Sequence, residues 1–202
     1  MAEYAAAYPT TMASEGYGAA AAAMTGTTTG TEELKQVTDH NVLGDVTASY
    51  SGSVLPATGI PHGHGCMIYQ PNNVEHGSDG VSFYDGGWSH GHWHGYGCIT
   101  FQNGDCYVGE FNYEERHGSG VYTWSDGRSY EGTFENDIRH GHGTFTWPDG
   151  SVYIGSFNRG QRTGYGSYDF NNGNIYVGEW LNGKNTHRGW LIFGARLLYT
   201  TR

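Results

Sequence analysis

The sequence predicts an all-β chain: an elongated single-layer antiparallel sheet of consecutive hairpins, with about twelve strands. Three observations predict it. A tyrosine recurs every 23 residues, at Tyr84, Tyr107, Tyr130, Tyr153 and Tyr176. Apolar and polar residues alternate, as in Tyr130-Glu131-Gly132-Thr133-Phe134 and Gly143-Thr144-Phe145-Thr146-Trp147. Period two marks a strand with two unlike faces. Finally, Asn103-Gly104, Asp126-Gly127, Asp149-Gly150 and Asn172-Gly173 close four successive units. Such dipeptides favour tight turns whose two central residues take positive φ.

In chain order, residues 1–33 are rich in Ala, Thr, Gly, Tyr and Ser without periodicity, which predicts a disordered tail. Residues 34–49 carry Leu34, Val37, Val42, Leu43 and Val46 and are expected to cap the first hairpin. The array is predicted over 50–193. Its first unit is degenerate: Tyr50, Gly52 and Val54, then Gly63 and Gly65, then a longer turn through Asp79-Gly80. Regular units follow, each with a glycine two residues after the tyrosine and an aromatic two further on. Examples are Gly109 with Phe111 and Gly155 with Phe157. A Gly-x-Gly pair follows, at Gly95 and Gly97, Gly118 and Gly120, Gly141 and Gly143, and Gly164 and Gly166. The last unit keeps only Gly189 of this pair. That makes six units with atypical ends, as expected where repeats are capped. Residues 194–202 read as a C-terminal tail.

Composition explains how one layer could be stable. Of 202 residues 34 are Gly, 16 Tyr, 8 Phe and 6 Trp, with glycine at more than twice its usual share of about 7%. A single layer has no second sheet to bury against. The motif Tyr, Gly and second aromatic share one face, so the rings must pack on one another, and glycine leaves them room. Each buried ring would contribute roughly 1.5–3 kcal/mol. Twist would curl this face into a groove lined by Tyr107, Phe111, Trp124, Tyr130, Phe134, Trp147, Tyr153 and Phe157, the candidate partner-binding residues. A ladder of Phe101, Trp124, Trp147, Phe170 and Phe193 runs along it. The opposite face, with Glu110, Thr123, Glu131, Thr144, Ser156, Asp169 and Glu179, suits water or a hydrophilic partner.

Other features narrow the function. The formal net charge is −10, unsuited to sequence-independent nucleic-acid binding. No apolar run reaches the 18 or so residues of a transmembrane helix, and the N-terminus fits neither a secretory signal nor a transit peptide. Three cysteines make a disulfide scaffold improbable and a reducing compartment the default. Cys66 and Cys98 hold equivalent points in successive units, either as two plain thiols or as a redox pair. Arg116, Arg139 and Arg162 repeat every 23 residues. They form either an edge for an acidic partner or ordinary pairs with Glu114, Glu115, Glu135 and Asp137. His90, His92 and His94 have one-face strand spacing that a metal could use. The competing reading makes His94, His117 and His140 a structural histidine that holds the Gly-x-Gly turn by a backbone bond. No G-x-S-x-G, H-E-x-x-H or Walker motif is present, so no catalytic residue, metal or cofactor is expected.

The pattern resembles the MORN repeat (membrane occupation and recognition nexus), whose motif is Tyr-x-Gly-x-aromatic, a loop, then His-Gly-x-Gly. It stands here as Tyr107-Val108-Gly109-Glu110-Phe111 followed by His117-Gly118-Ser119-Gly120. It recurs at Tyr84 with His94 and at Tyr130 with His140. Thr163 and Thr186 replace the histidine in later units, and Arg188 replaces the first glycine of the last. The resemblance implies a non-catalytic scaffold or recognition module. Such arrays occur in ciliary radial spoke head proteins, junctional membrane proteins, phosphatidylinositol phosphate kinases and parasite cytoskeletal scaffolds. Small acidic radial spoke head proteins are the nearest analogy. It implies a cytoskeletal location in a cilium or flagellum axoneme and protein partners in a large complex, with self-association or pairing with another MORN protein included. The alternative it implies is a membrane adaptor that binds acidic phospholipids through the arginine column.

Overall fold

The computed structural model describes residues 35–39, 46–69, 80–194 and 196–200, and the tail predicted over 1–33 lies outside them. The described residues form one antiparallel sheet in which every strand pairs with its sequence neighbours. Six hairpins make up twelve strands: β2 (Val46–Val54) with β3 (Pro61–Tyr69), β4 (Val81–Ser89) with β5 (His92–Phe101), and β6 (Cys106–Asn112) with β7 (Glu115–Thr123). The series continues with β8 (Ser129–Glu135) and β9 (Ile138–Thr146), β10 (Val152–Asn158) and β11 (Gln161–Asp169), and β12 (Asn174–Leu181) and β13 (Lys184–Phe193). One further strand stands at each end, β1 (Lys35–Asp39) on β2 and β14 (Arg196–Thr200) on β13. Residues read from the sequence as a C-terminal tail thus include a strand.

Turn chemistry differs from the sequence expectation at both corners. The two-residue turns with two positive φ angles lie at the hairpin tips, for instance Tyr113-Glu114 (47° and 74°) and Asn136-Asp137 (48° and 65°). Of these tips only Asn182-Gly183 (50° and 79°) is an Asn-Gly, and it is not one of the four dipeptides read from the sequence as closing the units. At Asn103-Gly104 only Gly104 has positive φ (88°). The Gly104 N–H donates to Phe101 O and the Phe101 N–H to Asp105 O, the three-residue connection that ends in a left-handed glycine. This corner also holds a buried carboxylate. Asp105, 7% exposed, accepts from the Tyr122 hydroxyl at 2.7 Å and the Ser125 N–H at 2.9 Å. Burial favours its neutral form, but these hydrogen bonds outweigh burial and hold its pKa below the usual value.

The Gly-x-Gly pair is likewise not a turn. Gly109 faces Gly120, whereas the next residue, Glu110, faces His117. Gly118 and Ser119 are therefore extra residues in β7, with Gly118 at φ 59°, a bulge that bends the strand. Glu110, not a histidine, secures it by accepting from the Ser119 N–H at 3.1 Å.

The core sits on one face and is built from rings. Tyr50, Tyr84, Tyr107, Tyr130 and Tyr153 are at most 2% exposed. Each ring folds back over the glycine two residues on, and its hydroxyl donates to the carbonyl three residues on. Examples are Tyr84 to Gly87 O at 2.7 Å, Tyr107 to Glu110 O at 2.9 Å and Tyr130 to Thr133 O at 3.0 Å. A Cβ on Gly143 would lie 2.6 to 2.7 Å from the Tyr130 ring and hydroxyl, so only glycine leaves this ring its seat. The rings meet edge to face along the array: Tyr107 to Phe134 at 5.1 Å, Tyr130 to Phe157 at 5.0 Å and Tyr153 to Trp180 at 5.0 Å. This geometry suits the ring quadrupoles and contributes about 0.5–1.5 kcal/mol per pair beyond burial.

Candidate interaction surface

Six of the eight rings read from the sequence as lining a groove are closed to solvent. Tyr107, Tyr130 and Tyr153 are 0% exposed, and Phe111, Phe134 and Phe157 are all buried. They are the core and offer a partner no surface. Only Trp124 and Trp147 of that set stay partly open. They belong to a second ring row, where Trp124 meets Tyr122 and Phe145, and Trp147 meets Phe145 and Tyr168. Alternation assigned the face correctly. Closure came from how tightly the rows pack and from what lies between them.

Between the rows lies the arginine column. Arg116, Arg139 and Arg162 stand opposite Phe111, Phe134 and Phe157 in register, on the ring face. The Arg139 guanidinium is 5.1 Å from the Phe145 centroid and 5.7 Å from Tyr130, and Arg162 is 4.4 Å from Trp180. Each also grips the next hairpin tip. The main-chain oxygens of Arg116, Arg139 and Arg162 accept from the N–H of Asp137, Gly160 and Gly183, each at 3.0 Å. The three guanidinium groups donate back to the carbonyls of those same residues at 3.3, 3.0 and 2.6 Å. Arg116 adds an ion pair to Asp137 at 2.7 Å. Burial lowers the pKa of Arg139 and Arg162, yet arginine remains charged throughout the accessible range. The column staples each hairpin to the next and covers the rings. It is neither a free basic edge nor, beyond Arg116, a set of acid pairs.

The histidines disperse among separate partners. His92 Nδ1 lies 3.0 Å from Glu114 Oε1, His90 packs on His62 at 5.0 Å, and His94 packs on Tyr113 at 5.0 Å. His117 Nδ1 is buried without a hydrogen-bond partner, so that nitrogen does not hold a turn by a backbone bond. Among the described residues no three His, Cys, Asp or Glu side chains converge on a point a metal could occupy. Cys66 and Cys98 are not neighbours either: Asp85 on β4 stands between them in the cross-strand row.

The accessible surface of chemical interest is the outer face, away from the rings. Its middle is polar as expected, with Glu110, Glu131, Thr144 and their neighbours. Its C-terminal third mixes Ser156, Ser167, Asp169 and Glu179 with exposed apolar residues. One cross-strand row runs Glu131, Thr144, Ile154, Ser167, Val177, Trp190. Ile154 is 54% exposed, Val177 39% and Trp190 43%, and Tyr165 on the adjacent row is 76% exposed. Half-buried Val152, Ile175 and Ile192 continue the patch. The sequence reading did not single these residues out, and pairing register is what shows that they adjoin. Ile68 and Tyr96 are also exposed on this face, but the cluster on β10–β13 is the candidate interaction surface.

The profile of the MORN repeat matches residues 59–74, 84–106, 107–127, 130–152, 153–175 and 176–185. This chain belongs to the MORN-repeat family. The four central segments cover the hairpins from β4 to β11, the first takes in β3 but not β2, and the last takes in most of β12 and the start of β13. A comparison with curated proteins gives no match. MORN repeats are binding and scaffolding repeats that engage proteins or membrane lipids. In this MORN array the motif tyrosines and glycines are spent on the core, so binding falls to what varies between units.

Proposed function

We propose that this MORN protein is a non-catalytic structural subunit that docks a protein partner within a larger assembly, the ciliary or flagellar radial spoke head. The observation that carries the docking of a protein partner is the apolar surface on the outer face of β10–β13, around Ile154, Tyr165, Val177 and Trp190; the location rests on the resemblance to small acidic radial spoke head proteins alone. Apolar and aromatic surface of this kind favours a protein partner with a complementary apolar segment. The net charge of −10 disfavours an anionic membrane. The arginine column lends the lipid reading little support, because its guanidinium groups lie over the core rings and each donates to a hairpin-tip carbonyl.

The test is affinity purification of the tagged chain from ciliated cells at high salt, with mass spectrometry of what remains bound. The expected result is a stoichiometric, salt-resistant set of axonemal proteins. Absence of the chain from isolated axonemes would overturn the location. Flotation with anionic vesicles near physiological salt would replace the partner class by lipid.

A further inference from the structure

We propose that the partly open aromatic row Phe101, Trp124, Trp147, Phe170 and Phe193 docks a proline-rich, arginine-bearing segment of another protein in the extended polyproline II conformation. The row runs along the margin of the ring face where one unit joins the next, away from the outer face of β10–β13. Its rings recur every 23 residues, one per hairpin. Phe145 bridges Trp124 and Trp147 at centroid distances of 5.4 and 4.4 Å, and Tyr168 bridges Trp147 and Phe170 at 5.2 and 4.7 Å. Successive hairpins of an antiparallel sheet repeat every two strand spacings, about 9.4–9.8 Å. A polyproline II helix repeats every three residues, about 9.3 Å. A proline at every third position therefore meets one ring per unit, and aromatic rows of this kind are what such helices dock on. Phe170 and Phe193 are 41% and 42% exposed, while Phe101, Trp124 and Trp147 are half-buried at the edge of the core.

Two polar features fit the same ligand. The backbone of polyproline II makes no internal hydrogen bonds, so its carbonyls are free to accept. Trp88 and Trp180 give their indole N–H to Gly65 O and Gly166 O. Among the described residues no acceptor meets the N–H of Trp124 or Trp147, and both remain accessible to solvent. The row also holds a place for a cation. At Trp124 the Arg128 guanidinium lies 5.1 Å from the ring centroid and pairs with Asp126 at 2.8 Å. In the next unit Trp147 and Asp149 repeat that ring and carboxylate, but Ser151 stands in place of Arg128. Ser151 donates to Asp149 Oδ1 from its N–H and its hydroxyl at 2.9 and 2.7 Å, and among the described residues no cation pairs with this exposed carboxylate. Arg162 lies 5.5 Å from the Trp147 centroid but donates to Gly183 O. A guanidinium carried by the partner takes the place beside Trp147 and Asp149 by stacking and ion pairing. The connections after Phe101, Trp124 and Trp147 carry Asp105, Asp126 and Asp149, with Arg128 as their one cation, so this margin attracts a basic segment. No two of the prolines in this sequence, Pro9, Pro56, Pro61, Pro71 and Pro148, stand three residues apart, so the segment comes from another chain.

The experiment titrates the full chain with a synthetic peptide of four Pro-Pro-Arg repeats by isothermal titration calorimetry, at low and at physiological salt. The expected result is saturable one-to-one binding that weakens as salt rises. Four Gly-Gly-Arg repeats keep the charge and lose the helix, and four Pro-Pro-Glu repeats keep the helix and reverse the charge. Each is expected to bind at least about tenfold more weakly than the Pro-Pro-Arg peptide. Phe170→Ser removes an exposed ring and is expected to weaken that peptide at least about tenfold, as for loss of an aromatic anchor. Asp149→Asn keeps the bonds to Ser151 and is expected to weaken it about threefold. Both variants should melt within a few degrees of the parent. The outer-face variant Ile154→Glu with Trp190→Glu is expected to bind the peptide as the parent does, so this contact and the docking on β10–β13 fail separately. Absence of binding, equal binding of the Gly-Gly-Arg or Pro-Pro-Glu peptide, or undiminished binding by folded Phe170→Ser would overturn the proposal.

Discussion

If Gly143 is glycine only because Tyr130 occupies its side-chain space, the cost of adding a methyl group there must vanish when the ring is removed. A Cβ at Gly143 would meet three atoms of Tyr130 at 2.6 to 2.7 Å, and these are its nearest neighbours. Gly143 is not in the left-handed region, so backbone strain adds nothing. Overpacking of this kind costs about 1–3 kcal/mol, which would lower the melting temperature of an array this size by about 2–4 °C per kcal/mol. Tyr130→Ala alone costs about 3–5 kcal/mol, as for other large buried rings. The double variant should then be no worse than Tyr130→Ala, a coupling of about 1–3 kcal/mol. Urea unfolding followed by tryptophan fluorescence measures all three. Equal cost of Gly143→Ala in both backgrounds would refute the argument that glycine is there to seat the ring. Gly132→Ala is the contrasting case. Its Cβ would also meet the main-chain His142 O at 2.6 Å and Gly143 Cα at 2.7 Å, so Tyr130→Ala should rescue it only in part.

Arg139→Met keeps the stem and removes both the stacked charge and the bond to Gly160 O, and is expected to cost about 1–3 kcal/mol by the same urea assay. Arg139→Lys should recover little of that, because the ammonium lacks the planar fork that stacks and bonds together. Tyr107→Phe removes only the bond to Glu110 O and should cost about 0.5–1.5 kcal/mol. Asp105 predicts an acid limb. Its folded pKa is depressed, so its stabilisation is present above the unfolded carboxylate value near 3.9 and is lost as pH falls through the folded value. Asp105→Asn should remove that limb from a plot of melting temperature against pH between about 5 and 2.

The fold was legible because one constraint repeats: a ring that must lie over a glycine writes Tyr-x-Gly into every unit at fixed spacing. Strand identity and face followed from alternation. The turns did not, because Asn-Gly and Asp-Gly also suit the three-residue connection, whereas the two-residue tips include pairs without that signal, such as Tyr113-Glu114, beside Asn182-Gly183, which has it. Exposure was misjudged for the same six rings that were correctly placed on one face. Nothing in the local sequence shows that Arg139 will lie over Tyr130 and Phe145 and seal them. The Ile154, Val177, Trp190 row depends on register across strands, which a single sequence specifies only once the bulges are located.

The central claim is that this MORN array binds a protein through the outer face of β10–β13 while the arginine column serves the fold. The most direct measurement compares two tagged variants in the high-salt purification, with melting temperature as the control. Ile154→Glu with Trp190→Glu places charge on exposed surface. It should leave the melting temperature within a few degrees of the parent and abolish recovery of the partner set. Arg139→Met should lower the melting temperature but retain that set below the transition. Full recovery of the partners by the outer-face variant, or their loss from folded Arg139→Met, would contradict the account.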